Sequence, residues 1–218
     1  MQGGGRTDAG VHALAQVMHL KVASEVRQSA EVIQRRLNDL LPAGIVIVSV
    51  ERVARNFHAR HDAVGRSYLY QVSRRRTAFG KPYVWWIKDE LSVPKMRAAA
   101  RLFRGMNDFR SFTDQKIEEG STKVLLQEVE VLESGALILI RIVGSHFLWK
   151  MVRRIVGVLV DVGRETMGET EVKGLLTRKS RAAAAITAPP SGLFLERVFY
   201  EDDTTEYPIV PLFGVTRA

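Results

Sequence analysis

The chain reads as an α+β protein built on a largely antiparallel sheet, and three observations predict this. Strand-like runs are joined by hairpin-length turns, at residues 133–135 above all. Strand and helix patterns follow one another in mixed order, without the regular βαβ alternation of a parallel sheet. A content of 46% apolar and 26% charged residues over 218 positions is enough for a proper core, in one large domain or two small ones.

The elements can be justified in order. Val11, Ala13, Ala15 and Val17 alternate with His12, Gln16 and His19, which predicts a strand over residues 12–22. Ser29 can cap a helix through Val32, Ile33, Leu37, Leu40 and Leu41, and Pro42 with Gly44 stops it. Residues 45–50 are β-rich. Over 66–73, Tyr68, Tyr70 and Val72 alternate with Ser67, Leu69 and Gln71, so both tyrosines should share one face of a strand. Another short strand is expected at 83–87. Ser92 and Pro94 open a helix to Phe103 and Arg104 that Gly105 closes. Strands at 123–132 and 136–143 form the hairpin, followed by a long helix over 145–162, a shorter one at 169–176, a helical alanine run at 182–185 and a last strand at 192–200.

Winding the long helix at about 100° per residue puts Leu148, Met151, Val152, Ile155 and Leu159 on one apolar stripe. Lys150, Arg154 and Asp161 fall opposite. Arg153 lies at the stripe's edge beside Trp149, Val156 and Val160, so it should be partly buried and in need of a carboxylate, Asp161 being one alternative partner.

Charge narrows the function. The net charge is +8, and between Arg52 and Lys81 eight basic residues stand against one acid, Asp62. Phe57, Tyr68, Tyr70 and Phe79 are interleaved there. Guanidinium groups neutralise phosphates and aromatic faces stack on bases, so this window suits looped or single-stranded RNA; a solvated basic face is the alternative. There are no cysteines, which excludes a disulfide scaffold, a thiolate zinc site and a cysteine nucleophile, and fits a reducing, cytoplasmic location. The five histidines show no metal-binding spacing, and no metal is expected. No apolar run reaches the ~18 residues of a membrane span, and residues 1–10 lack the apolar core of a secretory signal.

The strongest local signal is Gly3-Gly4-Gly5-Arg6-Thr7-Asp8-Ala9-Gly10-Val11-His12-Ala13. Glycines on both sides of Arg-Thr-Asp permit a tight backbone and close approach by a ligand. Asp8 stands before a predicted strand, where a carboxylate can project into a cleft. From spacing alone, a turn aspartate bonding its own backbone or a glycine-rich phosphate cradle are alternatives.

The whole string resembles the catalytic signature of the tRNA pseudouridine synthase A family. The resemblance continues in order through Phe57-His58-Ala59-Arg60 with Arg66-Ser67-Tyr68-Leu69-Tyr70, then Asn107-Asp108-Phe109-Arg110-Ser111-Phe112. It closes with Phe147-Leu148 and Met151-Val152-Arg153-Arg154-Ile155-Val156-Gly157, and with Gly192-Leu193-Phe194-Leu195 followed by Val198 and Tyr200. It implies isomerisation of uridine to pseudouridine in the tRNA anticodon stem-loop, at positions 38 to 40, without a cofactor. Asp8 would be the essential carboxylate, Tyr68 would pack on the target base and Arg153 would pair with Asp8. Arg6 would help hold the opened strand, an ordinary surface arginine being an equal alternative. Phe57, His58, Ala59, Arg60 and His61 would contact RNA, with Gln115 and Lys116 as weaker candidates.

The resemblance further implies two ferredoxin-like halves around a mostly antiparallel sheet with a positively charged cleft. Residues 1–85 would carry the aspartate motif and 86–218 the arginine helix, in a homodimer. The family carries a further strand and helix before the signature, with a Tyr-Asp-Gly motif. Their loss would leave sheet backbone unpaired and Asp8 less firmly held. The alternative expectation is therefore an RNA-binding protein with impaired catalysis.

Overall fold

The computed structural model describes residues 2–23, 28–114, 121–204 and 206–214. In chain order the elements are β1 (Gln2–Gly3), β2 (His12–Ala13), β3 (Met18–His19), α1 (Ala30–Leu40), β4 (Gly65–Ser73), β5 (Trp85–Trp86), α2 (Val93–Leu102) and β6 (Gly105–Asp108). There follow β7 (Lys123–Ser134), β8 (Leu137–Gly144), α3 (Met151–Gly163), α4 (Glu169–Thr177), α5 (Ala182–Ala185) and β9 (Leu193–Phe199). Seven strands make one sheet in the order β2-β9-β4-β8-β7-β6, with β5 added beside β4. All pairings from β9 to β6 are antiparallel, while the two-residue β2 and β5 join in parallel. The expected α+β class with a mostly antiparallel sheet is therefore what the chain adopts. The expected 85/86 boundary falls inside β5, and the sheet takes strands from both sides of it.

The period-2 pattern decides which side chains meet which layer. Tyr68, Tyr70 and Val72 of β4 pack with Ile138, Ile140 and Ile142 of β8 and with α2 and α3 in the main core. Leu69, Leu137 and Leu139 face the other way, onto a smaller cluster closed by Ile209, Leu212 and Phe213 of the C-terminal segment. Every residue of β8 is buried, as an apolar run covered on both faces requires. On α3, Met151, Ile155, Val156, Val158 and Leu159 are sealed from solvent. Each such side chain contributes about 1.5–3 kcal/mol, so the helix carrying Arg153 is firmly seated. On the far face of the sheet Arg141 and Glu196 form a nearly sealed ion pair at 2.7 Å. The hydroxyls of Ser67 and Tyr207 donate to Glu196, and Arg141 also donates to the carbonyls of Tyr207 and Pro208. With both charges paired and their remaining valences used, the pair meets the requirement for burial.

Several local expectations are corrected. Residues 12–22 are not one strand. β2 joins β9, β3 joins β1, and the exposed turn between them sends the Gln16 amide back to the Gly5 backbone. Residues 45–50 form no strand, because the carbonyls of Ile47 and Val48 accept from the side chains of Gln34 and Asn38 on α1. Ser29 caps α1 as expected, its hydroxyl accepting from the Val32 N–H at 3.4 Å, yet no residue of that helix is buried. The long helix starts at Met151 and not at residue 145, since Lys150 takes a left-handed conformation with φ 63. Arg154, expected on the solvent side, is buried and paired with Asp114. The single-stripe reading fails because α3 is covered on several sides, by α2, α5 and the turn Arg110–Phe112 as well as by the core. Among the described residues no helix is long and apolar enough to cross a membrane.

Candidate active site

Residues 4–11 form the loop between β1 and β2, and it is fixed near both ends by close packing. A Cβ on Gly4 would stand 3.0 Å from the Ala59 carbonyl oxygen, so glycine lets the loop lie against the 58–62 turn. Gly10 has φ +78, a conformation that side chains rarely tolerate, and the Val11 N–H returns to the Asp8 carbonyl at 3.0 Å. Beyond the loop, His12 pairs with Phe194 of β9 and its Nε2 meets the Pro82 carbonyl at 2.8 Å. The Asp8 carboxylate is thereby held at the edge of the sheet with its side chain 32% exposed.

Two donors converge on it. Arg153, its side chain only 16% exposed, points Nη1 at Asp8 Oδ2 across 3.4 Å and donates from Nε to the Ala188 carbonyl at 2.7 Å. Trp149 donates from its indole Nε1 to Asp8 Oδ1 at 3.1 Å. Asp161, the other carboxylate considered for Arg153, pairs with Arg164. Tyr68 lies at the inner wall, edge-on to Phe147 with ring centres 5.0 Å apart. Its hydroxyl is 3.9 Å from where a Cβ on Gly5 would lie. Burial pushes the Tyr68 pKa up, against the pull of Arg66 and with a further push from the Asp8 charge, so the phenol stays neutral. Asp8 and Arg153 are thus paired, and Tyr68 lies close enough for the Asp8 charge to act on its phenol. Arg6 is exposed and makes no hydrogen bond or ion pair among the described residues.

The 57–61 segment sits beside this loop. Phe57 leans on Tyr200 at 5.2 Å, and Ala59 is buried, its carbonyl accepting from the Tyr200 hydroxyl at 2.8 Å. His58 takes the Arg60 and His61 N–H groups on Nδ1, and His19 takes the Ala59 N–H on its own Nδ1. Both rings must therefore carry their proton on Nε2. Desolvation holds the His58 pKa down, and His61 and His19 add to that. Arg60 and His61 are exposed. Gln115 and Lys116 lie outside the described residues. Among the described residues no group of His, Asp or Glu is placed to hold a metal ion.

Two contributors escape the sequence reading. Arg66 makes five hydrogen bonds to the carbonyls of Gly4, Arg60, Ala63 and Ser145, joining the Asp8 loop, the 58–63 turn and the segment before α3. Trp149 is the other. Its place beside Arg153 on the helical winding was its one sequence signal, and the helix begins only at Met151.

The tRNA pseudouridine synthase family model matches residues 99–201. The chain is 38% identical over 200 residues to tRNA pseudouridine synthase A of Exiguobacterium sibiricum, covering 92% of this chain and 80% of that protein. It is 37% identical over 208 residues to the protein of that name from Geobacillus kaustophilus, covering 94% and 80%. Against the one from Pseudothermotoga lettingae the figures are 39% over 197 residues, 89% and 80%.

Proposed function

Because the chain belongs to the tRNA pseudouridine synthase A family, whose members are isomerases acting on tRNA uridine, we propose that it converts uridine to pseudouridine through the Asp8 carboxylate. The observation that carries this is a single part-exposed carboxylate with a guanidinium on one oxygen and an indole N–H on the other. Charge-assisted donors of this kind suit an ionised, nucleophilic acid.

Attack at C1′ expels uracil as its N1 anion, whereas attack at C6 activates the base first; both begin with the same anion. The N1–C1′ bond breaks, the base turns and C5 bonds to C1′. In the first route C5 displaces the Asp8 carboxylate from C1′. In the second the Asp8–C6 bond breaks once C5 has joined C1′, and either way the free acid is restored. C5 then loses a proton and N1 gains one, so atoms and electrons balance within the substrate and no cofactor is consumed. Walls such as Tyr68 and Phe147 help exclude the water that would otherwise capture the detached sugar.

The target is a uridine of the anticodon stem-loop. Extruding it costs a few kcal/mol, which packing against Tyr68 and phosphate contacts would offset. Arg6 holds the opened strand, and Phe57, His58, Arg60, His61, Gln115 and Lys116 contact the RNA, while buried Ala59 anchors that segment through its N–H and carbonyl. We place these groups in a positively charged cleft between two ferredoxin-like halves, 1–85 and 86–218, of a cytoplasmic homodimer.

The test is Asp8→Asn assayed on an anticodon stem-loop RNA. The variant should bind the RNA yet form no measurable pseudouridine, and formation at the wild-type rate would remove Asp8 from this role. The rival reading, an RNA-binding protein without catalysis, has no use for two donors aimed at Asp8. It would be favoured if the unaltered chain bound the stem-loop and left its uridines unchanged.

A further inference from the structure

We infer that Trp149 is a positioning residue for the attacking acid, fixing the plane of the Asp8 carboxylate through its indole N–H. The inference rests on Asp8 being the nucleophile. The Arg153 contact at 3.4 Å is at the outer limit of hydrogen bonding, while the Trp149 bond at 3.1 Å is the closer of the two. The donors use different oxygens. A carboxylate held at one oxygen can still turn about its Cβ–Cγ bond, and one held at both cannot. Orientation of the attacking lone pair then depends on the indole as much as on the guanidinium.

The surrounding structure holds Trp149 in place from outside the helix. Lys150 has φ 63, which costs a non-glycine residue roughly 1–2 kcal/mol. This left-handed residue redirects the chain between Trp149 and Met151, so that the indole from the turn and Arg153 from the helix both reach Asp8. Lys150 also lays its ammonium 4.2 Å from the indole ring centre and reaches Asp114 at 3.3 Å. Asp114 in turn pairs with buried Arg154, which keeps its carboxyl below the usual range. One acid therefore anchors both the turn residue and the first turn of the helix that follows it.

Burial does not explain this arrangement, because Trp149 is 49% exposed. A plain RNA-stacking tryptophan would use its ring face and have no need of the N–H.

Trp149→Phe separates the two, since it keeps an aromatic ring and removes the donor. In the full chain with an anticodon stem-loop RNA, it should lower the single-turnover rate by about tenfold or more. RNA affinity and melting temperature should stay at their wild-type values. Trp149→His, which keeps a ring N–H, should recover part of the rate. A Trp149→Phe protein turning over at the wild-type rate overturns the inference. So does a rate loss matched by an equal loss of RNA affinity or by a lowered melting temperature. Asp8→Asn is run alongside. If that variant isomerises normally, the reading of Asp8 fails; if it is inactive while Trp149→Phe is normal, only the role of Trp149 fails. A parent chain that forms no pseudouridine counts against both.

Discussion

Arg153 holds two partners at once, the Ala188 carbonyl at 2.7 Å and the Asp8 carboxylate at 3.4 Å. Arg153→Met preserves most of the aliphatic packing but removes both bonds, leaving the acid anchored by the indole alone. We expect a fall in turnover of roughly a hundredfold with RNA binding largely retained, checked by single-turnover kinetics beside a binding titration. Wild-type turnover would refute the ion-pair role. Asp8 and Arg153 were legible in the sequence because each lies in a distinctive ordered motif, and a half-buried arginine demands a carboxylate. Arg66 was not, since its partners are backbone carbonyls of distant residues, which leave no side-chain pattern. Trp149 was not legible: winding set it beside Arg153 on a helix that in fact begins only at Met151, and its bond to Asp8 leaves no pattern in the sequence.

At the scale of the element, α3 depends on one close approach. A Cβ on Gly157 would lie 1.7 Å from the Ile186 carbonyl oxygen, a backbone atom that cannot swing aside. This closeness lets the 186–188 segment run along the helix, where the Ala188 N–H reaches the Arg153 carbonyl at 3.1 Å and the Ala188 carbonyl receives Arg153 Nε. Gly157→Ala gains about 1 kcal/mol of helix propensity but forces the segment away, and overpacking costs about 1–3 kcal/mol. The backbone clash should win. We expect a lower melting temperature by thermal unfolding, with turnover reduced in the folded fraction as Arg153 loses its second support. The body of this helix was readable from its apolar spacing. Its start was not, because apolar residues continue upstream through Phe147 and Leu148 while the break at Lys150 is a backbone event without a residue-type signal.

At the scale of the molecule, the two faces of the sheet are built on different physics. The face toward α2 and α3 is apolar. The far face carries the Arg141–Glu196 pair and a cavity of about 520 Å³ lined in part by Arg104, Glu128, Glu130 and Tyr207. Burial there, with the neighbouring Glu130 adding to it, raises the Glu128 pKa from 4.5 to about 7. The folded protein thus binds this proton more tightly than the unfolded chain does. Its contribution to stability is full below 4.5 and is lost as the pH rises towards about 7. Glu128→Gln removes the titration, so its melting temperature should exceed that of the wild type at about pH 8, and the excess should shrink as the buffer is taken down to about pH 4. An unchanged difference across that range would show that Glu128 does not titrate in this way. The sheet itself was legible from alternation at 66–73 and from the two strand-like runs, 123–132 and 136–143, on either side of the 133–135 turn. The polar knot behind it was not, since Glu196 and Tyr207 reach Arg141 only through the tertiary fold.

The Arg66 clamp joins one fixed charge to neutral carbonyls and to no acid. Dissolved electrolyte therefore has no ion pair to screen there, although it weakens every phosphate contact an RNA makes with the outer arginines. If RNA docks on the outer arginines as proposed, ionic strength governs its capture, while the Arg66 clamp beneath the Asp8 loop is left untouched.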